Sequence, residues 1–92
     1  MIKSFVHKGL EKFFLTGSKA GIQSSHADRL ARQLAILSVA KSAEEMDQPG
    51  WKLHRLLGRE VGLWSVWIND SWRLTFRFID EDVDAVNYLN YH

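Results

Sequence analysis

The chain has 92 residues, 46% hydrophobic and 25% charged, which suits one small folded domain and excludes both a multidomain enzyme and a disordered segment. Twelve Lys and Arg against eleven Asp and Glu leave a formal net charge of +1, so no global field advertises a nucleic-acid partner. Cysteine is absent, which removes disulfides, thiolate metal sites and cysteine nucleophiles and fits a reducing compartment.

Ile2 to Val6 reads as a short strand. Leu10, Phe13 and Phe14 then fall at i, i+3 and i+4, a one-sided helical pattern that Gly17 and Gly21 end. Lys3, Lys8, Glu11 and Lys12 break up any apolar leader in this stretch, and no run approaches the length of a membrane span, so a cytoplasmic protein with no membrane partner is expected. A second helix is expected from Ser25, where the Ser25 to Asp28 spacing resembles a capping box. Ala27, Leu30, Leu34 and Leu37 form its apolar stripe, with Arg29, Arg32 and Gln33 on the other side. It runs out near Ala43, and Pro49 and Gly50 mark the following loop.

From Trp51 the period changes to two. Lys52 and His54 lie in an extended-looking segment followed by Arg55 and Arg59. Leu63 to Ile68 and Trp72 to Ile79 read as hairpin partners across Asn69 and Asp70, and Val83 to Leu89 reads as a third strand after an acidic turn. Helices first and an antiparallel meander after make an α+β domain, with the helices covering one sheet face. The +1 total hides local patches. Met1 to Ala43 and Trp51 to Ile79 are basic, whereas Glu44, Glu45 and Asp47, and then Asp80, Glu81, Asp82 and Asp84, are acidic.

Asp80, Asp82 and Asp84 alternate as at the start of a calcium loop, but Ala85 stands where that loop needs glycine and Tyr91 where it needs glutamate. The histidines at 7, 26, 54 and 92 have no metal-ligand spacing, and no phosphate-binding glycine loop or nucleophile elbow occurs. Chemistry without metal or cofactor is therefore expected. Arg73 and Arg77 share one face of their strand, about 7 Å apart by strand rise, within reach of neighbouring phosphates. Each such residue alone suits a solvated strand face or a frayed end. Together they supply what metal-free RNA cleavage requires: histidine for proton transfer near neutral pH, arginine for charge on the phosphate, tyrosine for stacking on a base.

Met1-Ile2-Lys3-Ser4-Phe5, His7-Lys8-Gly9-Leu10, Lys52-Leu53-His54, Leu57-Gly58, Trp64-Ser65-Val66, Ile68-Asn69, Trp72-Arg73-Leu74-Thr75-Phe76, Asn87-Tyr88 and Tyr91-His92 occur in this order along the whole chain. In these segments the sequence resembles the HigB-type killer toxins of the RelE-like superfamily, which also includes the ParE toxins. The resemblance implies a single domain over residues 1–92 with the RelE-like microbial RNase fold, two N-terminal helices on a small antiparallel sheet. It implies a type II toxin that cleaves messenger RNA in the A site of the small ribosomal subunit by attack of the 2′-hydroxyl. A HigA-type helix-turn-helix antitoxin is the implied partner, and operator DNA is met only through that complex. Carried over by position, His54, Arg73, Tyr91 and His92 form the active site, with His92 the principal proton-transfer residue and Arg73 the phosphate clamp. His54 becomes a second acid-base or phosphate-orienting group and Tyr91 a stacking or orienting group. Read from their own charge, spacing and place beside these residues, Lys52, Arg55, Arg59, Arg77 and Asn90 are expected to bind RNA. Two positions depart from the pattern: Asn90 stands where many relatives have aspartate, and Leu57 where many have a basic residue. A non-catalytic, gyrase-type inhibitor and a weakened member acting mainly in operon repression are the alternatives.

Overall fold

In the computed structural model, residues 1–56 and 62–91 are described. Helix α1 (Lys8–Thr16) begins where His7 Nδ1 accepts the Leu10 N–H at 3.0 Å and ends on Gly17, whose φ of 80° lets its N–H turn back to the Phe13 carbonyl. Gly21 lies beyond the helix end rather than in it. A Cβ on Gly21 would fall 2.4 Å from Gly9 Cα, so the loop crosses α1 at a point where only a glycine pair fits.

Helix α2 (Ala27–Val39) is entered through a 3₁₀ turn, Ser24–His26. The capping box expected at Ser25 is not formed. His26 is the N-cap and gives no side-chain cap, because the 3₁₀ turn already satisfies the His26 and Ala27 N–H groups through the Gln23 and Ser24 carbonyls. The helix stops at Val39, short of Ala43. Ala40 is extended, and Glu45 reaches back to accept the Lys41 N–H at 2.7 Å, starting a separate 3₁₀ turn at Ala43–Met46. Gln33, expected on the outer side, is fully buried and donates from Nε2 to the Trp67 carbonyl at 2.9 Å. One polar residue thereby ties α2 to the sheet.

Four antiparallel strands in the order β1 (His54–Arg55), β2 (Leu63–Trp67), β3 (Trp72–Ile79) and β4 (Asp82–Asn90) form the sheet. Trp72 to Ile79 forms the strand expected of it. The N-terminal segment is not a regular strand; Ile2 and Phe5 make isolated parallel bridges to Val83 and Val86, along the free side of β4. β4 carries a bulge: Ala85 and Val86 together face Phe76, with Ala85 at φ 54°, and Ser4 Oγ accepts the Ala85 N–H. The extra residue turns both Val83 and Val86 into the core.

Leu10, Leu30, Leu34 and Leu37 of the helices pack with Val66, Leu74, Phe76 and Val86 of the sheet, all essentially without exposure. Each such side chain removed from water contributes about 1.5–3 kcal/mol. The α+β architecture with helices on one sheet face follows from that burial, and it leaves the other face of the sheet uncovered by helix. Among the described residues no helix is long and apolar enough to cross a membrane. Asp82 and Asp84 do not converge as calcium ligands would: Asp82 approaches the Met1 amine at 3.5 Å and Asp84 pairs with Arg77.

Candidate active site

Alternation along the strands decides which side chains reach the uncovered face. With Leu74 and Phe76 committed to the helices, Arg73, Thr75 and Arg77 project the other way. Cross-strand register then aligns His54, Ser65, Thr75 and Asn87 in one row, and Trp67, Arg73 and Leu89 in the next. Ser65 and Thr75 are buried at 3% exposure, although a polar outer face would leave them solvated. Ser65 lines a groove of about 340 Å³ together with His54, Leu56, Trp67, Arg73 and Tyr91. This lies near the lower bound of about 300 Å³ for ligand pockets, the scale of one nucleotide rather than a strand of RNA.

Arg73 is the most constrained group in the groove. Its Nη1 donates to the Asn69 carbonyl at 2.7 Å and to the Trp72 carbonyl at 3.1 Å, and its guanidinium carbon lies 4.2 Å from the Trp67 ring centre and 5.7 Å from that of Tyr91. Carbonyl dipoles and an aromatic face fix the guanidinium's direction without cancelling its charge. Among the described residues no carboxylate lines the groove and no ion pair includes Arg73. Lys52 Nζ lies 4.0 Å from the Trp67 ring centre, adding a second cation beside the groove. Lys52 is not extended as expected: its φ of 52° kinks the chain into a β1 of two residues. Tyr91 follows β4, its N–H donating to the Ser71 carbonyl at 2.6 Å, and its side chain is 44% exposed. That bond brings Tyr91 beside the β2–β3 turn.

His54, Arg73 and Tyr91 therefore meet in one groove, with Lys52 at its rim. Arg55 does not join them. It alternates onto the opposite face, where its guanidinium carbon is 5.5 Å from the Trp64 ring centre. Asn90 pairs in register with Trp72 and lines a separate open cleft with Asn69, Asp70 and Ser71. Arg77 shares the face of Arg73, but four residues of strand cover about 13 Å rather than the 7 Å expected from the sequence. It is bound through Nε and Nη2 to both Asp84 carboxylate oxygens at 2.9 and 2.8 Å, an arrangement that lowers the Asp84 pKa and raises that of Arg77. His92 and Arg59, and the departure at Leu57, lie outside the described residues.

Sequence reasoning did not single out Trp67 and read Asn69 as a turn residue, not as a partner of the site. The signal for Trp67 lies in the hairpin register, since a turn centred on Asp70 places it directly opposite Arg73. Asn69 Oδ1 accepts the N–H groups of Ser71 and Trp72, closing that turn and fixing the carbonyl that Arg73 uses. Among the described residues no group of three or more His, Asp or Glu side chains is arranged to hold a metal ion.

A family model for the RelE-like toxin HigB of type II toxin-antitoxin systems matches residues 3–92. The chain is also 39% identical to the protein named endoribonuclease HigB of Proteus vulgaris, over 92 residues that cover the full length of both. With the α+β fold in agreement, the chain belongs to the HigB-like family of RelE-like toxins of type II toxin-antitoxin systems.

Proposed function

We propose that this toxin is an endoribonuclease that cleaves messenger RNA held in the A site of the ribosome. The observation that carries the reading is Arg73, held by two carbonyls and an aromatic ring on an open groove that also presents His54 and Tyr91. The name of the Proteus vulgaris relative supports endoribonuclease activity.

In the proposed reaction the 2′-oxygen attacks the adjacent phosphorus, the bond from phosphorus to the 5′-oxygen breaks, and a 2′,3′-cyclic phosphate forms. The 2′-hydroxyl proton passes to a general base and a general acid protonates the departing 5′-oxygen. Arg73 offsets the charge that builds on the phosphate, which its planar fork suits. His92 is the principal proton-transfer residue and His54 the second acid-base or phosphate-orienting group, while Tyr91 stacks on a base. Lys52 contributes a phosphate contact at the rim. A shallow groove on a small domain leaves most of the substrate outside, so the ribosome supplies the remaining walls and holds the message in place. No cofactor takes part. The toxin acts in the cytoplasm, is neutralised by a HigA-type helix-turn-helix antitoxin, and meets operator DNA only through that complex.

Induction of the chain in bacteria tests this reading. Translation stops and message is cleaved within codons, whereas Arg73→Ala and His92→Ala permit growth. Intact message after induction overturns the reading, and a DNA-damage response indifferent to His92→Ala would instead indicate a gyrase-type inhibitor.

A further inference from the structure

We propose that Asn69, held in its orientation by His26, is a positioning residue for Arg73; this rests on the reading of Arg73 as the phosphate-binding group. In a side-chain amide the oxygen only accepts and the nitrogen only donates. Asn69 Oδ1 receives the Ser71 and Trp72 N–H groups, both at 2.9 Å, so the identity of that atom as oxygen is fixed by two backbone donors. Nδ2 must then point the other way, and it lies 2.9 Å from His26 Nε2. A nitrogen that receives an N–H carries a lone pair. His26 is therefore the neutral tautomer with its proton on Nδ1, and it donates to Tyr88 Oη at 2.5 Å.

His26 is only 6% exposed, and burial lowers its pKa, in agreement with the neutral form. Its ring is braced edge-on by Trp72 and Tyr88, with centres 5.5 and 5.8 Å away, and those two rings stack on each other at 4.6 Å. Tyr88 Oη is held in turn by the Gln23 N–H at 3.3 Å. A packed aromatic block beneath the 3₁₀ turn thus presents one acceptor at a fixed point, and the Asn69 side chain links that point to the turn. The backbone carbonyl of the same residue receives Arg73 Nη1. Beside the contact of Arg73 Nη1 with the Trp72 carbonyl, one connection from this core to the guanidinium passes through the Asn69 side chain. Removing it strands two backbone donors and the His26 lone pair, and the turn relaxes to find new partners.

The test is single-turnover cleavage of messenger RNA on ribosomes with toxin in excess, which gives a maximal rate and a half-saturating toxin concentration. Thermal melting confirms that each variant is folded. Displacing a group by about 1 Å costs on the order of 100-fold in rate, so Asn69→Ala is expected to lower the maximal rate by about 10- to 100-fold with half-saturation changed less than about threefold. If Asn69 acts through Arg73, the double variant Asn69→Ala with Arg73→Ala is no slower than Arg73→Ala alone. A folded Asn69→Ala protein at the original rate overturns the proposal, as does a double variant slowed further by the full single-variant factor. Should Asn69→Ala not fold, Asn69→Asp serves in the same cycle. It keeps the oxygen that closes the turn and sets a second oxygen against the His26 lone pair, so it is expected to be slow and non-additive with Arg73→Ala; an original rate or full additivity overturns the proposal. Arg73→Ala cleaving at the original rate overturns the reading of Arg73 and this proposal with it, whereas a slow Arg73→Ala beside a fast Asn69→Ala overturns the positioning role alone.

Discussion

The two ends of β3 carry the same side chain on the same face and use it differently. At one end Arg77 grips both oxygens of Asp84, and each group stabilises the charged form of the other. At the other end Arg73 rests on carbonyls of the β2–β3 turn and against Trp67, which set its direction while leaving its charge for a further partner. An arginine already bound bidentately to a carboxylate has its best phosphate-binding geometry occupied. The difference lies in what surrounds each residue, and that distinguishes a surface ion pair from the proposed phosphate clamp.

Four outcomes would break or sharpen this comparison. The largest belongs to the paired alanine variants in single-turnover cleavage: Arg73→Ala is expected to lower the rate by about 100- to 1,000-fold, as removal of one charge-stabilising donor does, and Arg77→Ala by less than about threefold. Equal losses would erase the distinction between the two ends. Arg73→Lys keeps charge and loses the fork, so a loss of at least about tenfold is expected in the same assay. Recovery to the original rate would show that charge alone suffices. Trp67→Ala removes the ring beside Arg73 and Lys52; a cation–π contact of about 0.5–2 kcal/mol converts to a loss of roughly 2- to 30-fold, smaller for Trp67→Phe.

The smallest outcome is in stability and follows two pH windows, measured by thermal melting. Burial holds the His26 pKa below its usual value of about 6.5, so between the folded and unfolded values the unfolded chain binds more protons. Stability therefore falls as pH is lowered through and below about 6.5, and the loss ends once the folded pKa is passed. Removing the imidazole with His26→Gln flattens this slope. The Asp84 pKa is lowered by Arg77, so that pair contributes above the unfolded carboxylate value of about 3.9 and its contribution is lost in stronger acid. Lowering the pH below about 6.5 is thus expected to reduce stability through His26 while the contribution of the Arg77–Asp84 pair persists until stronger acid. Identical melting behaviour of the His26→Gln and original chains across this range would contradict the assignment.

The parts of the fold governed by periodicity were legible before any coordinates. Alternation from Trp72 to Ile79 defined β3 and the side of Arg73, and the i, i+3, i+4 spacing of Leu10 and Phe13 defined the buried stripe of α1. What was missed depends on contacts distant in the chain. Gln33 reads as an outward polar residue until the Trp67 carbonyl, 34 residues away, gives it a buried partner. His26 has no motif in the sequence because its partners are Asn69 and Tyr88, brought in by the turn and by β4. Lys52 adopts a left-handed conformation that no local residue preference signals. At the site, His54, Arg73 and Tyr91 line one groove, whereas Arg55 turns to the opposite face and Arg77, read onto the face of Arg73 from strand alternation, is taken up by Asp84, a partner that alternation does not reveal.

The central claim is that the groove around Arg73 serves cleavage of RNA by its own 2′-hydroxyl. The most direct measurement is the chemistry of the ends left on messenger RNA after incubation of ribosome-bound message with the purified chain. The account predicts a 2′,3′-cyclic phosphate upstream of the cut and a 5′-hydroxyl downstream, produced by the original chain and by Arg77→Ala and almost absent with Arg73→Ala. A 3′-hydroxyl with a 5′-phosphate, or message left whole by the original chain, would contradict it.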